Sequence, residues 1–496
     1  MKSTVLASLF STAAAQGAGT LKDNYLIPFA IDEDGTTNAK TTLTLDANWR
    51  WTHKNGESTN CYTGAIWDGC TSGKQCAKTC ELEGVSKSDW AAPYGVTEVS
   101  GGVDLQFVTQ GAYSMNVGSR MYVLEGEEYK QFKLLGKEIS FDVDASDLPC
   151  GTNGAVYFVE MPADGGMSLE PLNKAGPKYG TGYCDAQCPR DIKWTKGGAN
   201  FPWTSSEKDP WGNSGFGPTG SCCTEIDIWE SNKHSTAYSM HSSKTAGSGV
   251  KYCEGKECGS PDGDRFGGPT DRNGCDVNPV RFQVEDFYGP GSKYKVDSNK
   301  KFTIVTQFHE SGGKLTGVSQ HYIQNGKKIE HPNYLNLGNT ETDDFCAKKA
   351  KAMNDRDSFK EFGGMAAVEA SLKAGVTLVL SLWDDIDVHM NWLDSVMDGD
   401  DASVLGQKRG TCDPSAGDPV TLREKYPSSH VSYTNFKVGD IDGPSPAPTP
   451  TPSPSPTPTP SDCPGGSLDA CIDLCPADAF AACVKSCQRR CPAVSV

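Results

Sequence analysis

The chain has 496 residues, and its 63 aspartates and glutamates outnumber its 46 lysines and arginines, giving a formal net charge of -17. Phosphate groups would repel so acidic a surface, so neither a nucleic acid nor an anionic membrane is an expected partner. The length suffices for one large domain with a buried core and a small appendage. The 54 glycines are typical of a chain with many turns between strands.

The N-terminal segment 1–15 has the features of a secretory signal. Lys2 supplies a positive start, residues 5–10 form a short apolar run, and residues 13–15 form a small-residue cleavage site. Cleavage there would make Gln16 the first residue of the mature chain. The apolar run is shorter than a bilayer-spanning helix requires, so we expect the protein to be secreted and extracellular.

Residues 41–438 contain β-rich segments separated by turn signals, which predicts an all-β sandwich of two sheets. We expect strands over 42–51, 103–109, 132–143, 155–161, 224–231, 302–308, 376–383 and 431–438, and one clear helix over 365–374. On the first strand Trp49 and Trp51 would share a face, since side chains alternate along a strand, and Arg50 would point away. Two indoles beside an arginine fit a polar cleft better than a dry core.

The segment 225–230 places three carboxylates, Glu225, Asp227 and Glu230, among apolar residues. The alternation predicts a strand with Glu225 and Asp227 on one face. Glu230 is out of phase with a period of two, so the three acids can meet one substrate only if the strand bulges near Ile228 and Trp229. Two close carboxyl groups are what glycoside hydrolysis needs. The alternative is an exposed acidic strand edge.

Residues 442–461 alternate proline with threonine or serine, which favours extended polyproline II and predicts a linker. Residues 462–496 follow, with six cysteines, several of them spaced i,i+4 as on one helical face. We expect a small helical module stapled by disulfides, because so short a segment cannot form a core of its own. Phe480 is its only aromatic residue, which argues against a flat aromatic row for binding a polysaccharide, and its role stays open.

The segment EIDIWESN at 225–232, directly after a pair of cysteines, resembles the catalytic strand of glycoside hydrolase family 7, the cellobiohydrolases and endoglucanases that cut cellulose. The resemblance extends through DANWRWTH at 46–53, KYGTGYCD at 178–185, CPRD at 188–191, FYGPG at 287–291 and SLWDD at 381–385. It covers residues 41–438 in order, which is far more specific than one short motif. It implies a curved β-jelly roll with long cleft-roofing loops, in a catalytic domain over 16–441.

The 20 cysteines form two even sets, fourteen from Cys61 to Cys412 and six from Cys463 to Cys491, as expected in an oxidising compartment. The resemblance implies seven disulfides in the first set: Cys61–Cys80, Cys70–Cys76, Cys150–Cys412, Cys184–Cys223, Cys188–Cys222, Cys253–Cys258 and Cys275–Cys346. Zinc is the alternative for the closely spaced Cys184 and Cys188. In a secreted chain we expect disulfides there, and we expect neither a metal nor a cofactor.

The resemblance assigns Glu225 as the nucleophile, Glu230 as the general acid/base and Asp227 as a supporting acid of a retaining mechanism. Glu230 must hold a proton near the working pH, so burial and the neighbouring charges must raise its pKa. Glu225 must be ionised to attack, and one proton shared within the cluster would relieve the repulsion. His241, expected on the next strand, matches a family residue near the leaving group; a purely structural histidine is the alternative.

Aromatic and polar residues are implied as the substrate-binding surface, because sugar rings expose apolar C–H faces that stack on indoles. The resemblance matches stacking platforms to Trp49, Trp51, Trp383 and Trp392. It matches polar groups beside the acids to Tyr157, Tyr183, Asp185 and Gln187. It matches residues that grip the departing product to Arg265, Asp276, Arg281 and Arg409. The alternatives are four core tryptophans and ordinary surface ion pairs.

The loops over 202–220, 258–268 and 346–364 are long, whereas endoglucanases of the family lack several roofing loops. We therefore expect a monomeric cellobiohydrolase of the reducing-end type that acts on cellulose and cello-oligosaccharides. An endo-acting β-1,4-glucanase and a non-catalytic lectin on the same scaffold are the alternatives.

Two loop tips depart from the family pattern. Asp262 and Asp387 stand where relatives often carry tyrosines that can meet across the substrate. We expect these two acids to face one another across a gap and to repel each other. The roof would then open more often than in a relative with aromatic tips.

Overall fold

The computed structural model describes residues 16–38, 40–111, 114–212, 214–259 and 264–441. The predicted signal 1–15, the linker 442–461, the cysteine-rich module 462–496 and the loop tip at Asp262 lie outside the described residues. Within the described ranges, no helix has both the length and the apolar character needed to cross a membrane.

Two large sheets pack face to face, as the sequence predicted. The first, called here the acidic sheet, contains in spatial order Ile27–Pro28, Thr41–Leu45, Ser119–Glu125, Thr377–Asp384, Thr152–Val159, Glu225–Ser231, Thr236–His241 and Cys275–Val277, with Glu128–Tyr129 attached. The second, called the back sheet, contains Val96–Val99, Gly102–Gln106, His430–Asp440, Lys137–Asp144, Phe302–Ser311, Lys314–Gln324 and Lys327–Glu330, with Ile31–Glu33, Thr36–Asn38 and Thr340–Glu341 attached.

Aromatic side chains fill the space between the sheets. Trp229 from the acidic sheet contacts the rings of Tyr433 and Phe302 from the back sheet, with ring centroids 5.9 and 6.5 Å apart. Phe141 and Phe436 stack with centroids 5.0 Å apart. Each such ring removes a large apolar area from water, at about 25 cal/mol per Å². One face of the acidic sheet is therefore committed to the core, and only the other face can carry the acids.

Shorter strands form the remaining small sheets. They are Gly17–Ala18 with Cys80–Leu82 and Thr52–Lys54, Tyr62–Thr63 with Ile66–Trp67, Val108–Gln110 with Met115–Val117, Trp194–Thr195 with Gly198–Ala199, Thr204–Ser205 with Gly215–Phe216, Thr219–Cys222 with Lys251–Glu254, and Tyr288–Gly289 with Val296–Asp297. Most of these lie in the long connections between strands of the two large sheets.

The helices are short. The α-helices of the described residues are Gly73–Thr79, Lys87–Ala91, Asp343–Met353, Ser358–Glu361, Gly364–Ala374, Asn391–Asp394 and Pro419–Lys425, and the 3-10 helices are Pro177–Tyr179, Gly255–Cys258, Pro279–Phe282 and Tyr334–Asn336. The helix predicted over 365–374 is confirmed as Gly364–Ala374. The equally long helix Asp343–Met353 was missed, although Thr342 caps it by accepting a hydrogen bond from the Phe345 amide.

The strand predicted over 42–51 is wrong in its second half. The strand ends at Leu45, residues 46–51 form a turn, and a new strand begins at Thr52. Asp46 explains the break, because its carboxylate accepts the Asn48 amide at 2.6 Å and its carbonyl accepts the Trp49 amide at 3.2 Å. Trp49 and Trp51 therefore do not share a strand face.

Seven disulfides join the fourteen cysteines of the catalytic domain in the pairs that the resemblance implies. The bond between Cys150 and Cys412 closes the longest loop, with a sequence separation of 262. It holds the C-terminal part of the domain next to the start of the Thr152–Val159 strand, close to the acids.

Candidate active site

The three acids reach one face of their strand because the strand Glu225–Ser231, called here the acidic strand, bulges. Against the neighbouring strand, Tyr157 pairs with Asp227 but the next partner, Val156, pairs with Trp229. Ile228 is therefore the extra residue, and the register against the strand Thr236–His241 shifts at the same place. The bulge turns Glu230 to the face of Glu225 and Asp227, as the sequence required.

The apolar residues of the acidic strand all face the core. Ile226, Ile228 and Trp229 are fully buried among the aromatic side chains between the two sheets. Glu225 and Asp227 are 8% and 3% exposed, and Glu230 is half-buried. The carboxylates thus line the floor of a cleft, and the alternative of an exposed acidic strand edge is wrong.

Two disulfides hold a loop against the start of the acidic strand. Cys184 is bonded to Cys223 and Cys188 to Cys222, so the segment 184–188 is fixed at both ends. This places the Ala186 amide 3.0 Å from Glu225 Oε2, to which it donates a hydrogen bond. Such a bond favours the ionised carboxylate, which is the form a nucleophile needs.

Asp227 lies against His241. His241 Nδ1 lies 2.8 Å from the carbonyl oxygen of Asp271, which can only accept, so Nδ1 carries a hydrogen. Nε2 of the same ring lies 3.0 Å from Asp227 Oδ2, within ion-pair distance. When protonated, His241 offsets part of the negative charge around Glu225 and Glu230.

Burial raises the pKa of Glu230 to about 7, with further contributions from the negative charges of Asp276 and Asp185. Asn153, which the sequence analysis missed, opposes this by donating a hydrogen bond from Nδ2 to Glu230 Oε1 at 2.9 Å. Its Oδ1 accepts the Ser231 amide at 3.0 Å, which fixes the orientation of the amide group. Because Oε1 accepts a hydrogen bond, the proton of neutral Glu230 is directed to Oε2.

The pKa values of the other two acids are also raised. Burial comes first for both, followed by the charge of Asp227 in the case of Glu225 and the charge of Glu230 in the case of Asp227. The three groups titrate as one cluster. Such a cluster binds protons at a pH where isolated carboxylates are ionised.

A chain of hydroxyl groups extends from the acids into the protein. Tyr157 and Tyr183 hydroxyls lie 2.8 Å apart, and Tyr183 donates to Asp185 Oδ2 at 2.7 Å. The Gln187 amide donates to Asp185 Oδ1 at 2.7 Å, while the Gln187 side chain donates to the Arg272 carbonyl. The residues predicted to lie beside the acids are therefore brought together.

Arg120 is a second residue that the sequence analysis missed. Its guanidinium lies 3.4 Å from the centre of the Tyr183 ring and 5.4 Å from that of Trp49, and Nε donates to Asp46 at 2.8 Å. It is a largely buried cation, 13% exposed, packed against two aromatic rings. In the strand Ser119–Glu125 it is followed by four apolar residues, which gives no signal of a functional role.

All four predicted tryptophan platforms are partly exposed, so the alternative of four core tryptophans is wrong. Trp383 and Trp392 stack on each other with centroids 6.2 Å apart, and Trp392 donates to Asp385 at 3.1 Å. Trp49 donates to the Val117 carbonyl at 3.2 Å, and Trp51 donates to Asn60 at 2.6 Å. The indoles of Trp49, Trp51 and Trp392 are held in place by their N–H groups, which leaves apolar ring surface for a ligand.

The residues predicted to grip the product form separate contacts. Arg281 donates to Asp276 and to Asp355, and the Lys349 ammonium lies 2.5 Å from Asp276. The cations hold the pKa of Asp276 well below its usual range, although burial alone would raise it. Asp276 lies two strands from Asp227, since each pairs with Ser239.

The other two predicted product residues lie on loops. Arg265 is exposed, and it donates to Asn273 at 2.7 Å and to the Arg272 carbonyl at 3.0 Å. Arg409 donates to Asp400 at 2.8 Å.

Asp387 has a cationic partner. Its carboxylate lies 3.0 Å from the ammonium of Lys208. Asp262, the acid expected to face it, lies outside the described residues, so the gap between the two acids stays a prediction. Lys208 was overlooked because it is 179 positions away in the sequence.

A metal ion could find ligands only within the acid cluster or among disulfide cysteines in the described part of the chain. Glu225, Asp227 and His241 each offer one ligand atom, and these atoms lie within 4.8 Å of one another. The other groupings rest on cysteines already joined in disulfides.

Comparison with known proteins identifies the family. The sequence model of glycosyl hydrolase family 7 matches residues 30–444. Exoglucanase GH7B of Limnoria quadripunctata is 40% identical over 445 residues, covering 88% of this chain and 98% of the relative.

Solved structures agree. A family 7 cellobiohydrolase from Daphnia pulex is 40% identical with a TM-score of 0.83, over 86% of this chain and 100% of its own. An endocellulase of Humicola insolens is 31% identical with a TM-score of 0.70, over 86% of this chain and 99% of its own. With its jelly-roll sheets and acid-lined cleft, the chain belongs to glycosyl hydrolase family 7.

Proposed function

We propose that the protein is a secreted, monomeric, retaining cellulase that releases cellobiose from the reducing ends of cellulose chains. The observation that carries the proposal is the acidic strand, whose bulge puts Glu225, Asp227 and Glu230 on one cleft face while burial raises the pKa of Glu230 to about 7. A lectin has no use for a carboxyl group that stays protonated beside a carboxylate held by a backbone amide.

The geometry supports a double displacement. In the first step Glu225 attacks the anomeric carbon, and the Glu230 Oε2 proton passes to the glycosidic oxygen as the bond to the leaving sugar breaks. In the second step the ionised Glu230 takes a proton from water, whose oxygen displaces Glu225 from the sugar. Each step inverts the configuration at the anomeric carbon, so the product retains the configuration of the substrate. The Ala186 amide, which donates to Glu225 Oε2, favours the ionised state that the attack requires.

Chain-end attack is supported by the relatives. The exoglucanase and the cellobiohydrolase are each 40% identical to this chain, whereas the endocellulase is 31% identical. The stacked pair Trp383 and Trp392 at the end of the strand Thr377–Asp384 offers a platform for sugar rings.

A predicted secretory signal and seven disulfides support export from the cell.

The test is hydrolysis by the full chain of crystalline cellulose and of a soluble cellulose derivative. We expect mainly soluble cellobiose from the crystalline substrate, with little loss of viscosity in the soluble one. Rapid viscosity loss would instead favour endo-acting hydrolysis, and proton NMR of fresh product showing the α-anomer would contradict retention. Binding without hydrolysis would favour a lectin.

A further inference from the structure

The loop before the acidic strand forms a hairpin that crosses the acid-lined face. Its stem pairs Thr204–Ser205 with Gly215–Phe216, and its described tip is 206–212. We call it the roof hairpin. The chain returns from its stem directly into Thr219–Cys222, which leads to Glu225. The stem therefore lies at the Glu225 end of the acidic sheet.

The tip of the roof hairpin reaches the opposite end of the sheet, where Arg423 bridges Asp209 of the tip and Asp384. Glu225 pairs with Val159 and Asp384 pairs with Thr152, seven ladder positions away. At ~3.3 Å per residue, the chain from Asp209 back to Glu225 covers about 23 Å along the strands. The strands beneath it are interior ones, and their other face is covered by the back sheet. The hairpin therefore passes over the face that carries the acids.

An inner anchor of three buried charged side chains holds the tip. Arg423 donates to both oxygens of Asp384, at 2.7 and 3.0 Å, and to Asp209 of the tip at 3.3 Å. The three side chains are at most 4% exposed. Asp209 also accepts the amides of Trp211 and Ser214, at 3.1 and 2.8 Å. One carboxylate thus shapes the tip and ties it to the sheet.

An outer anchor lies next to it at the surface. Lys208 of the tip donates to the carboxylate and to the carbonyl of Asp387, at 3.0 and 3.1 Å. Both side chains are exposed, 57% and 73%, so water and salt weaken this pair. Because it is buried, the inner anchor is stable against solvent and salt. The exposed outer anchor is weaker and responds to both.

We propose that these two anchors form a latch that sets how often the roof hairpin lifts, and so whether a cellulose chain is attacked at its end or in its interior. With the latch closed, a polymer reaches Glu225 and Glu230 only by threading from an end. With the latch open, an internal stretch can enter from the side. The inference rests on the proposed function and names the residues that determine the mode of attack.

The test compares three variants of the full chain. Lys208→Met removes the outer anchor and Asp209→Asn weakens the inner one. Lys348→Met is the matched control, because Lys348 forms an ion pair with Asp344 at similar exposure, 56% and 73%, away from the roof hairpin. Two quantities are measured: hydrogen–deuterium exchange of the tip amides, and the ratio of soluble to insoluble reducing ends released from crystalline cellulose.

We expect Lys208→Met to speed exchange of the tip amides by roughly two- to fivefold. Asp209→Asn should speed it on the order of tenfold or more, because a buried carboxylate loses its charge-assisted hydrogen bonds. Both should lower the ratio of soluble to insoluble reducing ends, and the control should change neither quantity. Added salt should speed tip exchange in the wild type but not in Lys208→Met.

Equal exchange in Lys208→Met, Asp209→Asn and the control would overturn the latch. Faster exchange with an unchanged ratio of soluble to insoluble ends would overturn its effect on the mode of attack. A wild type that does not hydrolyse cellulose would refute the proposed function instead, and tip exchange would still decide whether the anchors hold the hairpin.

Discussion

Two carboxylate clusters lie on the same face of the acidic sheet, two strands apart, and they titrate in opposite directions. Around Glu230 burial dominates, and its pKa is raised to about 7. Around Asp276 the cations Arg281 and Lys349 outweigh burial, and its pKa falls well below the usual range. Both carboxyl groups are buried, so the presence or absence of nearby cations decides their protonation. Glu230 can donate a proton, whereas Asp276 stays ionised in its ion pairs.

The largest effect should come from removing the acids that do chemistry. Glu225→Gln and Glu230→Gln should each lower kcat by about 10²–10⁴-fold or more, since a neutral amide neither attacks nor transfers a proton. Binding of cello-oligosaccharides, measured by calorimetry, should change little. Glu285→Gln at an exposed surface ion pair is the control. Near-normal kcat in either active-site variant would remove that residue from its assigned role.

Removing a cation from the second cluster should damage stability more than chemistry. Lys349 is buried and donates to the carbonyl and the carboxylate of Asp276. Lys349→Met leaves that charge partly unpaired, so we expect the free energy of unfolding in urea to fall by about 3 kcal/mol. The exposed Lys348→Met on the same helix should lose far less. Equal losses of unfolding free energy in the two variants would show that burial of the Lys349–Asp276 pair does not contribute to stability.

Substitution of Asn153 should change the pKa of Glu230 without affecting the cluster around Asp276. Its hydrogen bond favours the ionised form of Glu230. Asn153→Ala should raise the pKa of Glu230 by about one unit and reduce kcat by about tenfold. Because activity requires protonated Glu230, the alkaline limb of the kcat profile should move to higher pH. A lower kcat with an unmoved limb would indicate a purely structural role.

A further effect concerns the dependence of stability on pH. The pKa of Glu230 is raised in the folded state, so the folded protein binds this proton more tightly than the unfolded chain does. Its contribution to stability is present below about pH 4.5 and is lost as the pH rises to about 7. Glu230→Gln should therefore gain stability relative to the wild type over that window. Urea unfolding at both ends of the window measures this gain, and a constant difference would contradict the raised pKa.

Much of the fold followed from local patterns. A mostly apolar run located the strand Thr377–Asp384, and period-two alternation located most of the acidic strand. The phase error at Glu230 required the bulge that the structure contains at Ile228. The strand assigned through Trp51 failed because the period of two cannot show that the Asp46 carboxylate accepts a nearby amide and ends the strand. The capped helix Asp343–Met353 was missed because charged residues separate the members of its buried face, Phe345, Cys346, Ala350 and Met353.

The residues of the candidate site also divide into those that the sequence could identify and those that it could not. The acids, the tryptophans and the cysteine pairs lie in motifs and could be named from the sequence. Asn153 and Arg120 could not, because each is a single polar residue in a buried strand whose partner lies far along the chain. Asn153 is 77 positions from Glu230, and Arg120 is 74 from Asp46.

The sequence by itself determined which residue types lie on one strand face, because side-chain direction depends on the backbone of adjacent residues. The tertiary structure decided which charges meet. Asp387 pairs with Lys208, and Asp276 is neutralised by cations from two other segments. Coulomb energies depend on distances in space, and two strands of a sheet bring together residues that no local pattern connects.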